Sequence, residues 1–145
     1  MKHKLSQYIV IIPLLTFSIS TFSSEEILSV MELKQCPDSP NCVSSQSLSE
    51  SHKISPLPYK SSSEEAIQQI KKIILALPGT KLIEEKDQYL HFEFRTYFFR
   101  FVDDVEIVID DSEKVIHLRS ASRVGYSDFG TNRRRIEEIK NKFIQ

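Results

Sequence analysis

The chain has 145 residues, 40% apolar and 27% charged, which suits one domain with a buried core and excludes a compositionally disordered chain. Nineteen Lys and Arg stand against twenty Asp and Glu, a formal net charge of −1. That balance disfavours a nucleic-acid binder, which carries a basic surplus.

The first 23 residues read as a secretory signal peptide. Lys2 and Lys4 precede an apolar run from Tyr8 to Phe17, and the small residues Ser18, Ser20, Thr21 and Ser23 suit cleavage near Ser20 to Ser23. The run is shorter than the roughly 20 apolar residues a spanning helix needs. An uncleaved anchor and a buried helix are the alternative readings. Cleavage after Ser23 would remove Lys2 and Lys4, giving 17 basic and 20 acidic residues and a net charge of −3. The expected location is exported, periplasmic or secreted. Residues 24–35 form a flexible lead or a short helix, and 36–145 form a single domain.

Cys36 and Cys42 bracket the loop C-P-D-S-P-N-C. Two close cysteines in an exported chain read as a disulfide. His52, His91 and His117 lack ligand spacing, so no metal site is expected. The Ser-rich stretch from Val43 to Ser63 reads as an extended segment with a short strand near Ile54 to Tyr59.

A helix follows. Ser62 and Glu65 have capping-box spacing, and Ala66, Ile67, Ile70, Ile73, Ile74 and Leu77 make one apolar face. Pro78-Gly79 ends it. Strands are expected over Lys81–Glu85, Gln88–Arg95, Tyr97–Ile109 and Lys114–Ser120. In the second, Leu90, Phe92 and Phe94 face inward. In the third, Phe99, Phe101, Val105, Ile107 and Ile109 share one parity, and in the fourth Ile116 and Leu118 point inward. A closing helix from Asn132 to Ile144 carries Ile136, Ile139 and Phe143 on one face, with Ile144 at its margin. These elements predict an α+β fold with two helices on one face of a four- to five-stranded antiparallel sheet. The other face stays polar, carrying His91, Glu93, Arg95, Arg100, Asp104, Glu106, His117 and Arg119.

Asp103 shares the parity of the inward residues, where an unpaired carboxylate is costly. Either a bulge at Asp103-Asp104 turns it outward, or Arg119 or Arg123 donates to it. The segment Arg119–Arg135 concentrates five arginines, two glycines, Asp128 and Asn132 between a strand and a helix. It reads either as a polar staple or as a ligand site. The candidate binding residues are Arg119, Arg123, Asp128, Asn132 and Arg135, with Asp103 and Asp104 as orienting acids. They are expected to converge.

The chain lacks G-x-S-x-G, H-E-x-x-H and a P-loop, so no catalytic motif, catalytic residue or cofactor is identified. The first reading is an exported binding or interaction module for an anionic small molecule, a lipid headgroup or another envelope component. A membrane surface is a compatible partner and nucleic acid is not. The alternatives are an envelope hydrolase or transferase using Asp103 or Asp104 with an arginine, and a structural envelope protein.

Three blocks, C-P-D-S-P-N-C-V-S-S from Cys36, F-V-D-D-V-E from Phe101 and R-S-A-S-R-V-G-Y-S-D-F-G-T-N-R-R-R-I from Arg119, resemble the domain-of-unknown-function 1499 family. The resemblance covers roughly Cys36 to Phe143. It implies small, often exported or membrane-associated proteins and supplies no activity, substrate or cofactor.

Overall fold

The computed structural model describes residues 32–144, so the expected signal peptide and most of the lead lie outside the described residues. The elements run β1 (Cys42–Ser44), β2 (Leu57–Pro58), α1 (Ser63–Leu75), β3 (Thr80–Lys86), β4 (Tyr89–Arg95), β5 (Val102–Asp110), β6 (Val115–Ser122) and α2 (Thr131–Ile144). The strands form one six-stranded sheet in the order β1-β6-β5-β4-β3, with β2 also paired to β6. Every pair of strands is antiparallel. The fold is α+β, as expected, with a higher strand count. The extra strand, β1, spans only Cys-Val-Ser, too short to show alternation; its register against Ala121, Ser120 and Arg119 creates it.

Local chemistry sets the helix start. Ser62 Oγ accepts from Glu65 N at 3.2 Å, and the Glu65 carboxylate accepts from Ser62 N at 3.3 Å. These bonds satisfy two orphan N–H groups of the first turn. Ala66, Ile67, Ile70 and Ile74 then face the sheet. They pack with Ile136, Ile139 and Phe143 of α2 over Leu90, Phe92, Val105, Ile107, Ile109, Ile116 and Leu118. Ile144 lies outside this core, 72% exposed.

The third strand starts later than its sequence suggests. Residues 97–99 form a turn, and Phe99 and Phe101 are exposed rather than inward. The reversal closes where Thr96 N donates to Phe101 O at 2.9 Å and Phe101 N donates to Thr96 Oγ1 at 3.0 Å. Arg100 takes φ 54° within it. That left-handed conformation is where glycine is usual, so the turn carries no glycine signal.

Strand β5 pairs without interruption from Val102 to Val108 against β4, and from Asp103 to Asp110 against β6. No bulge turns Asp103 outward. Asp103 and Asp104 therefore point to opposite faces of the sheet.

Candidate functional site

On the face away from the helices, alternation brings His91, Glu93, Asp104, Glu106 and Arg119 together. The register aligns Glu93 with Asp104, and His91 with Glu106 and Arg119. Arg123 folds back over this face. Its Nε donates to Asp104 Oδ2 at 2.8 Å and its Nη2 donates to Asp104 Oδ1 at 2.7 Å. The same Nη2 reaches Glu93 Oε1 at 2.5 Å. His91 Nε2 lies 2.7 Å from Asp104 Oδ1. Arg119 Nη1 donates to Glu106 Oε2 at 2.5 Å, and Tyr89 OH donates to Glu106 Oε1 at 3.1 Å.

Partial burial pushes the Asp104 carboxyl up, but the bonds from Arg123 and His91 outweigh it and hold Asp104 below the usual range. The hydrogen bonds to Asp104 and Glu93 push the Arg123 guanidinium further up. Burial, followed by the Glu106 carboxylate, pushes the Tyr89 phenol up. Asp104 and Arg123 are therefore both ionised at neutral pH, with Tyr89 a neutral donor.

The disulfide between Cys36 and Cys42 ties the preceding arm to β1. Leu33 is buried, and its N donates to Gln46 Oε1 at 2.6 Å. Held at both ends, Lys34 to Pro37 form one wall of a cleft of about 580 Å³. The other wall is the sheet face, with His91, Asp104, Glu106, Arg119 and Arg123. Lys34, Arg119 and Arg123 meet Asp104 and Glu106 there, and Arg123 is also bound to Glu93. Lys34 makes no ion pair among the described residues. Arg119 is 6% exposed, and its Nε is a buried donor without an acceptor. Such a donor costs about 1–3 kcal/mol.

Asp103, Asn132 and Arg135 sit on the opposite face, in a largely buried cluster. Arg135 Nη2 donates to Asp103 Oδ2 at 2.6 Å. Asp103 is thus neutralised by Arg135 rather than by Arg119 or Arg123. Arg135 Nη1 also donates to Asn132 Oδ1 at 2.6 Å and Ser120 Oγ at 3.0 Å, and the guanidinium lies 4.6 Å from the Phe94 ring centroid. Asn132 Nδ2 donates to Asn41 O and Ser122 Oγ, both at 3.0 Å. This cluster pins α2 to the sheet and to the end of the cysteine loop.

Asp128 caps α2: its Oδ2 accepts from Asn132 N at 2.7 Å and its Oδ1 from Gly130 N at 2.9 Å. Arg123, Asn132 and the helix-end N–H groups do not form one anion pocket. The sheet separates Arg123 from Asn132, and Asp128 occupies the Asn132 N–H. Of the predicted set, Arg119, Arg123 and Asp104 share the cleft; Asp103, Asn132 and Arg135 are internal.

Sequence reasoning left two features of the cleft unassigned. The His91–Asp104 contact was readable from strand parity, given the hairpin register. The proximity of Lys34 had no local signal, because the disulfide and the burial of Leu33 create it. His117 pairs with neither Glu93 nor Glu106; its Nδ1 lies 3.1 Å from Ser45 Oγ.

Residues 32–143 match the family described as "Protein of unknown function (DUF1499)". The chain belongs to this family. As a DUF1499 protein it carries the cysteine loop, the Asp103-Asp104 pair and the arginine segment inside the matched region. No curated protein is significantly similar to it. Among the described residues, no group of three His, Cys, Asp or Glu is placed to hold a metal ion. No described helix is long and apolar enough to cross a membrane.

Proposed function

We propose that this protein is an exported binding module whose cleft takes a small polar ligand bearing an anionic group, free or as a lipid headgroup. The carrying observation is the cleft itself, where Lys34, with no ion pair among the described residues, stands beside Arg119 and Arg123. Lys34 and the guanidinium edges suit an anion, while the two carboxylates accept from ligand hydroxyl or amine donors. The Cys36–Cys42 disulfide supports an oxidising compartment, consistent with the Lys2-to-Ser23 leader.

Acid/base chemistry at the paired aspartates is less well supported. Asp103 is 4% exposed and committed to Arg135. Asp104 is held ionised by Arg123 and His91, so it is a poor proton donor at neutral pH.

The test is mass spectrometry of small molecules co-purifying with the protein from its native compartment, comparing wild type with Arg123→Ala. An anionic species retained by wild type and lost from a stably folded Arg123→Ala is expected. The Arg123 side chain is 42% exposed, so its removal costs below about 1 kcal/mol of stability. Equal retention by both proteins, no retained species, or an unfolded variant would each count against the proposal.

A further inference from the structure

The β4–β5 turn reads R-T-Y-F-F-R-F from Arg95 to Phe101, with no acidic residue. Tyr97, Phe98 and Phe99 are 90%, 86% and 77% exposed, and Phe101 is 51% exposed. They touch chiefly one another: Tyr97 meets Phe98 edge-on at 5.2 Å, and Phe99 stacks on Phe101 at 5.5 Å. The loop after β6 exposes Tyr126 and Phe129 as well. Both loops lie at the same end of the sheet, because Asp103 pairs with Ser122 and Arg123 N donates to Val102 O at 3.0 Å. Exposed apolar groups on this scale mark an interaction site.

Two observations say what covers them. Three consecutive aromatic side chains, Tyr97, Phe98 and Phe99, are exposed together at the tip, so the apolar surface is a projecting ridge rather than a flat patch. A protein partner would cover one side of such a ridge, whereas a fluid apolar phase surrounds it. Behind the tip, Lys81, Arg95 and Arg100 line a groove of about 410 Å³ beside Tyr97. Its carboxylate, Glu93, is bound by Arg123 at 2.5 Å and lies 3.9 Å from Arg95. Lys81 and Arg100 make no ion pair among the described residues. Aromatic rings ahead of unneutralised cations match the layering of acyl chains beneath phosphates.

We infer that the β4–β5 tip docks this protein on a bilayer rich in anionic phospholipid. The aromatics enter the acyl boundary, and Lys81, Arg95 and Arg100 meet headgroup phosphates. This surface is separate from the Arg119–Arg123 cleft and does not depend on its having a ligand.

Because the chain contains no tryptophan, Phe99→Trp provides a local reporter. The chain recovered after export is titrated with vesicles of phosphatidylcholine alone and of three parts phosphatidylcholine to one part phosphatidylglycerol. Ile144→Trp, at the far end of α2, is the control. The expected result is a blue shift of the F99W emission on the phosphatidylglycerol vesicles, much weaker on phosphatidylcholine and absent for I144W. Adding Arg95→Gln and Arg100→Gln weakens binding about fivefold per arginine. Phe98→Ser with Phe99→Ser, at exposed positions that leave the core intact, reduces vesicle flotation of the otherwise wild-type chain by roughly tenfold or more. Unchanged F99W emission, an equal shift for I144W, equal affinity for both vesicles, or unimpaired flotation of the double serine variant would each overturn the inference. So would a wild-type dimer that the double serine variant converts to monomer, since a second copy would then cover the tip.

Discussion

At the scale of single residues, the adjacent aspartates do different work. Asp103 is buried with Arg135, and removing one partner of such a pair leaves an uncompensated charge. Arg135→Met is expected to lower stability by about 3–5 kcal/mol, read as a lower urea midpoint at unchanged slope. A loss below about 1 kcal/mol, the range of an exposed pair, would show that Asp103 is solvated or otherwise paired. Asp103 was legible as an inward-facing acid from the parity of Val105, Ile107 and Ile109. Its partner was not, because which α2 residue meets the sheet end depends on how the helix docks. Arg119 and Arg123 are nearer in sequence, but the sheet places both on the other face.

At the scale of elements, the fold was most readable where one period governed a segment. The Ser62–Glu65 box and the Ile67, Ile70, Ile74 spacing located α1, and the Leu90, Phe92, Phe94 alternation located β4. The Tyr97–Phe101 turn reads as strand because its aromatics have strand propensity and Arg100 supplies a conformation usually signalled by glycine. Strand β6 carries a pH-dependent element. Burial pushes the His117 ring below its ordinary value of 6.5, with Asp110 opposing. As the pH falls below 6.5, the unfolded chain binds a proton at this ring that the folded chain refuses, so acidification favours unfolding. Above that value the term vanishes. His117→Gln is therefore expected to flatten the melting temperature as a function of pH just below 6.5 and to leave its slope near pH 8 unaltered. An identical slope in both proteins would refute the assignment.

For the whole molecule, the disulfide converts a short covalent loop into a wall of the cleft. Cys36→Ser with Cys42→Ser should cost about 2 kcal/mol in the chain-entropy account. Its diagnostic effect is faster hydrogen exchange at Leu33, whose N donates to Gln46 Oε1, with β4 and β5 still protected. Unchanged exchange in the arm would mean that Leu33 alone holds it. The neighbouring carboxylates of β5 carry a further consequence for assembly of the sheet. Sliding that strand by one position would drive Asp104 into the apolar layer away from Arg123 and eject Asp103 from Arg135. Both salt-bridged sets would break at once, so the Asp-Asp dipeptide acts as an alignment key that rejects a misthreaded hairpin from either side.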